Sequence, residues 1–255
     1  MSPSNTPGGD LLVASAADQA LIEQVAWSCR ILVAHGYEDL TLGHVSARGA
    51  DDRTMYIKRK GPALGEVTPE DILAFDLDGS LRDAPADMHL EAVLHTEIYK
   101  RRPDVRCVVH GHPPFATAFS ATDATFEFLS HDAVLFADGL AVYNGQPDLI
   151  VNEQQGGDVA DGLGDRTTLL LRNHGVLVAE RSVAWATLTG VLLEKSIQMQ
   201  AIASSLGNLR AIPPQVVRQI YPLKYQEHFP DEYWGAWVRD LRRNGQAFGM
   251  PEEDR

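Results

Sequence analysis

The sequence predicts a single α/β domain, and three observations carry that reading. Apolar residues recur at helical spacing in some stretches and form short runs bounded by turn residues in others, and the two kinds interleave along the chain. Its 255 residues fit one large domain with ample length to bury a core. Hydrophobic residues make up 44% of the chain, an ordinary share for a soluble globular protein.

Residues 1–17 contain no basic block followed by an apolar one, so they read as a disordered tail rather than a signal peptide. A helix is predicted over 18–35, where Leu21, Ile22, Val25, Cys29 and Leu32 form one stripe and Gly36 stops it. Short strands follow near 40–48, 54–59 and 72–77, the last closed by an Asp78-Gly79 turn. A second helix is expected from about 87 to 101, with Asp87 as its N-cap and Pro103 just past its end. The run 105–110 reads as a strand, broken by Pro113-Pro114 ahead of a short helix at 115–120. Between 125 and 165 the glycine-rich sequence predicts short strands and turns. Strands are expected again at 167–172 and 176–179, then the longest helix from Ser182 to near Gly207. Pro213-Pro214 sets off a C-terminal segment, 211–255, carrying Tyr221, Tyr225, Tyr233, Trp234 and Trp237. It is expected to pack on the same domain or on a neighbouring subunit.

The formal net charge of −13 argues against nucleic acid or an anionic membrane as partner, although a small anionic substrate needs only one local basic pocket. Cys29 and Cys107 sit in apolar surroundings and belong to no CxxC pair, which points to a reducing cytoplasm and no disulfide framework. No apolar run approaches membrane-spanning length.

The residues that can carry chemistry are mainly histidines. Arg106-Cys107-Val108-Val109-His110-Gly111-His112 closes one apolar run, and Leu169-Leu170-Leu171-Arg172-Asn173-His174 closes another. In an extended strand residues i and i+2 share a side, so His110 and His112 can face one ion. Three neutral imidazoles suit zinc, manganese or iron and leave coordination positions open. Taken singly, each histidine reads as a hydrogen-bonded strand-end residue; the combination is what points to a divalent metal. Glu91, His95 and Tyr99 recur at spacings of four and share a helix face. Glu91 beside the apolar stripe can ligate a metal or carry a proton. His95 reads first as a helix-surface residue and second as a group orienting Glu91. Lys58-Arg59-Lys60-Gly61-Pro62 is either an anion site or a solvated strand end. His44 stands at another tight turn, and His131 is a weaker candidate for a donor at the site.

These residues resemble a family. Gly43-His44-Val45-Ser46-Ala47-Arg48, Glu91, Arg102-Pro103-Asp104-Val105, His110-Gly111-His112 and Leu171-Arg172-Asn173-His174-Gly175 occur in the order seen in the class II aldolase/adducin family. The resemblance implies a three-layer α/β/α domain over about 18–210, around a largely antiparallel sheet. It implies assembly as a homotetramer with sites at subunit interfaces. It makes His110, His112 and His174 the metal ligands and Glu91 the acid/base carboxylate. Sugar-phosphate aldolases of the family have Gly-Asn where this chain has Gly43-His44, a Thr-Gly turn for Lys60-Gly61, and Ser-Ser for His89-Leu90. His44, Lys60, Gly61 and His89 in that pocket suit a flat carboxylate better than a phosphoryl group. Met88-His89-Leu90-Glu91 is similar to members that decarboxylate hydroxylated aromatic acids. The expected activity is therefore a metal-dependent decarboxylation of a hydroxylated aromatic or heteroaromatic (di)carboxylate, with Glu91 moving the proton and His131 a second catalytic candidate. The alternatives are an aldolase for a small hydroxy-keto substrate, an iron oxygenase, and a non-catalytic adducin-like module.

Overall fold

The computed structural model describes residues 15–79, 84–145 and 148–252. Along the chain come α1 (Ala16–Ala34), β1 (His44–Arg48), β2 (Thr54–Lys58), β3 (Ile72–Asp76), α2 (Ala92–Arg101), β4 (Cys107–Gly111), α3 (Pro114–Ser120), β5 (Ala141–Tyr143), α4 (Glu153–Leu163), β6 (Thr168–Leu171), β7 (Gly175–Glu180), α5 (Val183–Leu206), α6 (Pro214–Lys224) and α7 (Phe229–Arg243). The strands form one sheet in the order β3-β2-β1-β4-β7-β6-β5. Its pairings are antiparallel except β5 with β6, which is parallel.

Alternation along the central strands splits the core in two. Val45, Ala47, Cys107, Val109, Val176 and Val178 face one way, where α1, α3 and α5 cover them. Met55, Ile57, Val108, Leu177 and Ala179 face the other way, toward α2 and α4. This is the expected three-layer α/β/α arrangement, and both central strands β4 and β7 are buried along their whole length. Val217 of α6, Tyr225 and Leu241 of α7 join the first core, and Tyr221, Tyr233, Trp234 and Trp237 pack against it.

Several boundaries differ from the sequence expectation. Residues 1–14 of the expected tail lie outside the described residues, but Ser15 caps α1 through the Asp18 amide, so 15–17 open the helix. The strand expected from 40 begins only at His44, because Leu40 turns the chain at φ 52°. Asp87 does not cap α2; its carbonyl accepts the Lys60 amide at 2.7 Å, and Glu91 takes the N-cap position. The largest miss is α4, which lies in the stretch read as turns and short strands. Its glycines permit contact rather than break the helix. A Cβ on Gly156 would stand 2.9 Å from the Val93 carbonyl of α2. The overlooked signal is a start pattern: Asn152 caps the Gln155 amide at 3.0 Å, and Gln155 reaches back to the Val151 amide at 2.9 Å.

Candidate active site

Antiparallel pairing sets His44 of β1 opposite His110 of β4, and Gly111 opposite Val176 of β7. The start of β1, the end of β4 and the start of β7 therefore coincide at one end of the sheet. His174 enters there through the turn from β6, where Asn173 takes the left-handed conformation at φ 57° that asparagine tolerates. His110, His112 and His174 each bring one ring nitrogen to within 4.8 Å of the others. The ring centroids lie 4.9, 5.0 and 5.3 Å apart.

Neighbouring groups fix two of these rings. His110 Nδ1 lies 3.0 Å from the Val176 carbonyl and donates to it. The lone pair of Nε2 is thereby left free, and that atom is fully buried without a hydrogen-bond partner. Asp39 accepts the His112 backbone amide at 2.8 Å and lies 3.3 Å from His112 Nδ1. A carboxylate or carbonyl behind a metal-ligating histidine is the usual way of orienting its ring. Gly111 makes the Asp39 contact possible, since a Cβ there would stand 2.7 Å from Asp39 Oδ2. An orphaned buried imidazole nitrogen, three converging rings and two orienting acceptors fit a divalent metal in an N3 site.

Glu91, at the start of α2, accepts the Ile150 amide at 3.0 Å and stands 3.6 Å from both His110 Nε2 and His174 Nε2. Burial raises the proton affinity of its carboxyl, but the facing His110 and His174 lower it by more, so it is held well below the usual carboxylate range. Glu91 is thus ionised at rest. The expected shared face of α2 is real. His95, one turn on, is fully buried and bonds His44 rather than lying on the surface, and Tyr99 bonds Ser46.

A cavity of about 620 Å³ opens beside the triad, lined by Thr41, Leu42, His44, Lys60, Gly61, His89, Leu90, Glu91, Leu149, His112 and His174. All four residues expected to bind substrate are in this lining. The basic run is divided between tasks. Lys58 is buried, with Nζ bonded to the Thr41 and Arg59 carbonyls and 3.3 Å from His89 Nε2. Arg59 pairs with Asp71 at 2.8 Å, which leaves Lys60 as the cation in the cavity wall. Burial, then Lys58, pushes His89 down to about 4, so its ring is neutral. His131 stands apart from the cavity within this chain. Its side chain is exposed and outside the cavity lining, because Lys224 holds neighbouring Asp132 and the Tyr225 hydroxyl donates to the His131 carbonyl. Asp39, Thr41, Leu42 and Leu149 are residues at the site that sequence reasoning did not assign to it. Leu149 lies in no helix or strand and carries no local signal, whereas Lys58 was visible as part of the basic run.

Sheet order, layers and the histidine cluster define an α/β domain with a candidate metal site at one end of its sheet. Residues 23–201 match the family described as Class II Aldolase and Adducin N-terminal domain, and the chain belongs to that family. It is 31% identical over 244 residues to a 3,4-dihydroxyphthalate decarboxylase of Arthrobacter keyseri, covering 89% of this chain and 94% of that protein. An L-fuculose phosphate aldolase of Methanococcus maripaludis (strain C5) is 28% identical over 181 residues, 70% of this chain and 94% of the aldolase. The crystal structure of an aldolase II superfamily protein from Pseudomonas syringae superposes with a TM-score of 0.81 at 25% identity, over 92% of this chain and 96% of that one. Among the described residues no helix is long and apolar enough to cross a membrane.

Proposed function

We propose that the protein is a metal-dependent lyase that removes carbon dioxide from a hydroxylated aromatic or heteroaromatic carboxylate. The wall of the cavity carries this reading: Leu42, Leu90 and Leu149 beside the imidazoles of His44 and His89, with Lys60 as the cation. A flat ring lies against leucines and imidazoles with its carboxylate toward Lys60; a polyhydroxylated sugar chain offers those leucines little apolar surface. Similarity to the Arthrobacter decarboxylase over nearly its whole length supports the same reading.

His110, His112 and His174 would hold the divalent cation, which when bound supplies a Lewis acid to the substrate oxygens. Glu91, ionised at rest, takes the proton of the ring hydroxyl and returns it to the ring carbon that bears the carboxylate. The carbon–carbon bond then breaks, carbon dioxide leaves, and the bond electrons restore the aromatic ring with negative charge on the ring oxygen. Water reprotonates that oxygen. His44, Lys60, Gly61 and His89 hold the substrate anion. The same reading makes the protein a cytoplasmic homotetramer with its two buried cysteines reduced, the exposed Leu42 and Leu90 at the cavity mouth being covered by a neighbouring subunit.

The test is incubation of metal-loaded protein with hydroxyaromatic acids and with aldol adducts, measuring carbon dioxide, aldehyde and oxygen uptake separately. Carbon dioxide from a hydroxyaromatic acid without oxygen uptake is the expected result. Efficient cleavage of a phosphorylated sugar, with aromatic acids untouched, would install the aldolase reading instead.

A further inference from the structure

His44 is open to two roles by distance alone. With Glu91 and His110 it forms a second group whose ligand atoms lie within 4.8 Å of one another, so proximity admits it to a coordination set. The hydrogen bonds behind it bear on the choice. The Tyr99 hydroxyl is 2.8 Å from Ser46 Oγ, Ser46 Oγ is 2.6 Å from His95 Nδ1, and His95 Nε2 is 2.6 Å from His44 Nδ1. All four residues are buried. The 2.6 Å contact between His95 Nε2 and His44 Nδ1 needs one N–H and one lone pair, and an imidazole that accepts at one nitrogen is neutral and carries its single proton on the other.

One direction of donation satisfies every member. Among the described residues Ser46 Oγ, 2.8 Å away, is the acceptor available to the Tyr99 hydroxyl proton. Ser46, having received that bond, gives its own proton to His95 Nδ1. His95 then carries its proton on Nε2 and donates to His44 Nδ1. His44 is left protonated at Nε2, the nitrogen turned away from His95, in the wall of the cavity it lines. The reverse direction would strand the proton of a buried tyrosine without an acceptor. A protonated ring nitrogen has no lone pair for a cation and offers one N–H to an anion.

We propose that Tyr99, Ser46 and His95 are positioning residues that lock His44 as an N–H donor to a carboxylate of the substrate and keep it out of metal coordination. Only the identity of the anion rests on the decarboxylase reading; the tautomer does not. Nitrogen-15 NMR of histidine-labelled, zinc-loaded protein reads the tautomers directly. His44 and His95 both protonated at Nε2 is the expected result, and a proton on His44 Nδ1 overturns the proposal. In Ser46→Ala the His44 signals become a mixture of both tautomers; an unchanged single tautomer overturns the relay. His44→Asn keeps a polar group near the Nδ1 position for His95 but does not reach the Nε2 position. Its zinc affinity stays within about threefold of wild type, whereas a loss beyond tenfold places His44 among the ligands and overturns the proposal. Phthalate, a dicarboxylate without the ring hydroxyl, binds at least tenfold more weakly to His44→Asn and about twofold more weakly to Ser46→Ala, where only part of His44 is the donor tautomer; equal binding to wild type and His44→Asn overturns the carboxylate contact. If phthalate fails to bind wild type while the NMR and zinc results hold, the decarboxylase reading falls and the tautomer lock stands.

Discussion

At the scale of single residues, the triad was legible because its geometry is local. His110 lies in β4 and His112 stands one residue past its end, two positions on, and His174 follows a similar run of leucines, so the spacing within each apolar run brings them forward. Asp39 was not legible, because its contact with His112 exists only where the missing Cβ of Gly111 leaves room for the loop before β1. His131 differs from the triad in that no shared strand end brings it there; contacts of Lys224 and Tyr225 hold its segment. Asp39→Ala is expected to keep the fold and weaken zinc by about 10–100-fold, the scale of losing a group that orients a ligand. Competition with a chelator measures it, and unchanged affinity would leave Asp39 with a structural role alone. Glu91→Gln is expected to retain zinc and lose on the order of 10²-fold or more in turnover, since an amide cannot take up a proton. Carbon dioxide release under single-turnover conditions measures the step, and a near-normal rate would assign proton transfer to another group.

Among the elements, glycine misled the reading of α4 because sequence shows its flexibility and hides its thinness. Alanine in place of glycine ordinarily stabilises a helix by about 1 kcal/mol. At Gly156 the sign reverses, because the new methyl would meet Val93 and Glu97 of α2 at 2.9 Å. Gly156→Ala is expected to destabilise by about 1–3 kcal/mol, the cost of overpacking, and urea unfolding measures it. A stabilised variant would mean that α2 and α4 can move apart without loss. The packing of α7 on α1 is open to a pH test. His35, at the end of α1, lies 5.1 Å from the Trp237 ring of α7. Burial, then Lys195, lowers it from its ordinary 6.5 to about 4, against a smaller opposing effect of Asp240. The unfolded chain therefore binds this proton first as pH falls, so stability is complete above about 6.5 and is lost down to about 4. His35→Gln removes that dependence. The stability difference between wild type and variant is expected to shift against wild type across the window, and a difference independent of pH would show an unperturbed His35.

For the whole molecule, the three layers were legible from the interleaving of two periodicities, while strand order was not, because pairing β1 with β4 and β4 with β7 joins segments far apart in sequence. That order makes the candidate site a junction. His110 is the penultimate residue of β4, His174 lies in the turn between β6 and β7, His112 leads into α3, and Glu91 is the N-cap of α2. A cation held by the three histidines would tie both cores through the shared end of the sheet. It would also give the buried His110 Nε2 the partner that it lacks. Binding to the folded state alone adds stability in proportion to the logarithm of saturation, about 2.7 kcal/mol when zinc is 100 times its Kd. For a chain of this size that raises Tm by about 5–10 °C. Calorimetry at fixed protein concentration is expected to show the rise with zinc, its reversal by a chelator, and its absence in His110→Ala. A wild-type Tm that zinc leaves unmoved would mean that the histidines do not act as one site in the folded chain. Loss of the metal from the protein would then leave the end of the sheet no weaker than before, and the cavity would need another source for its Lewis acid.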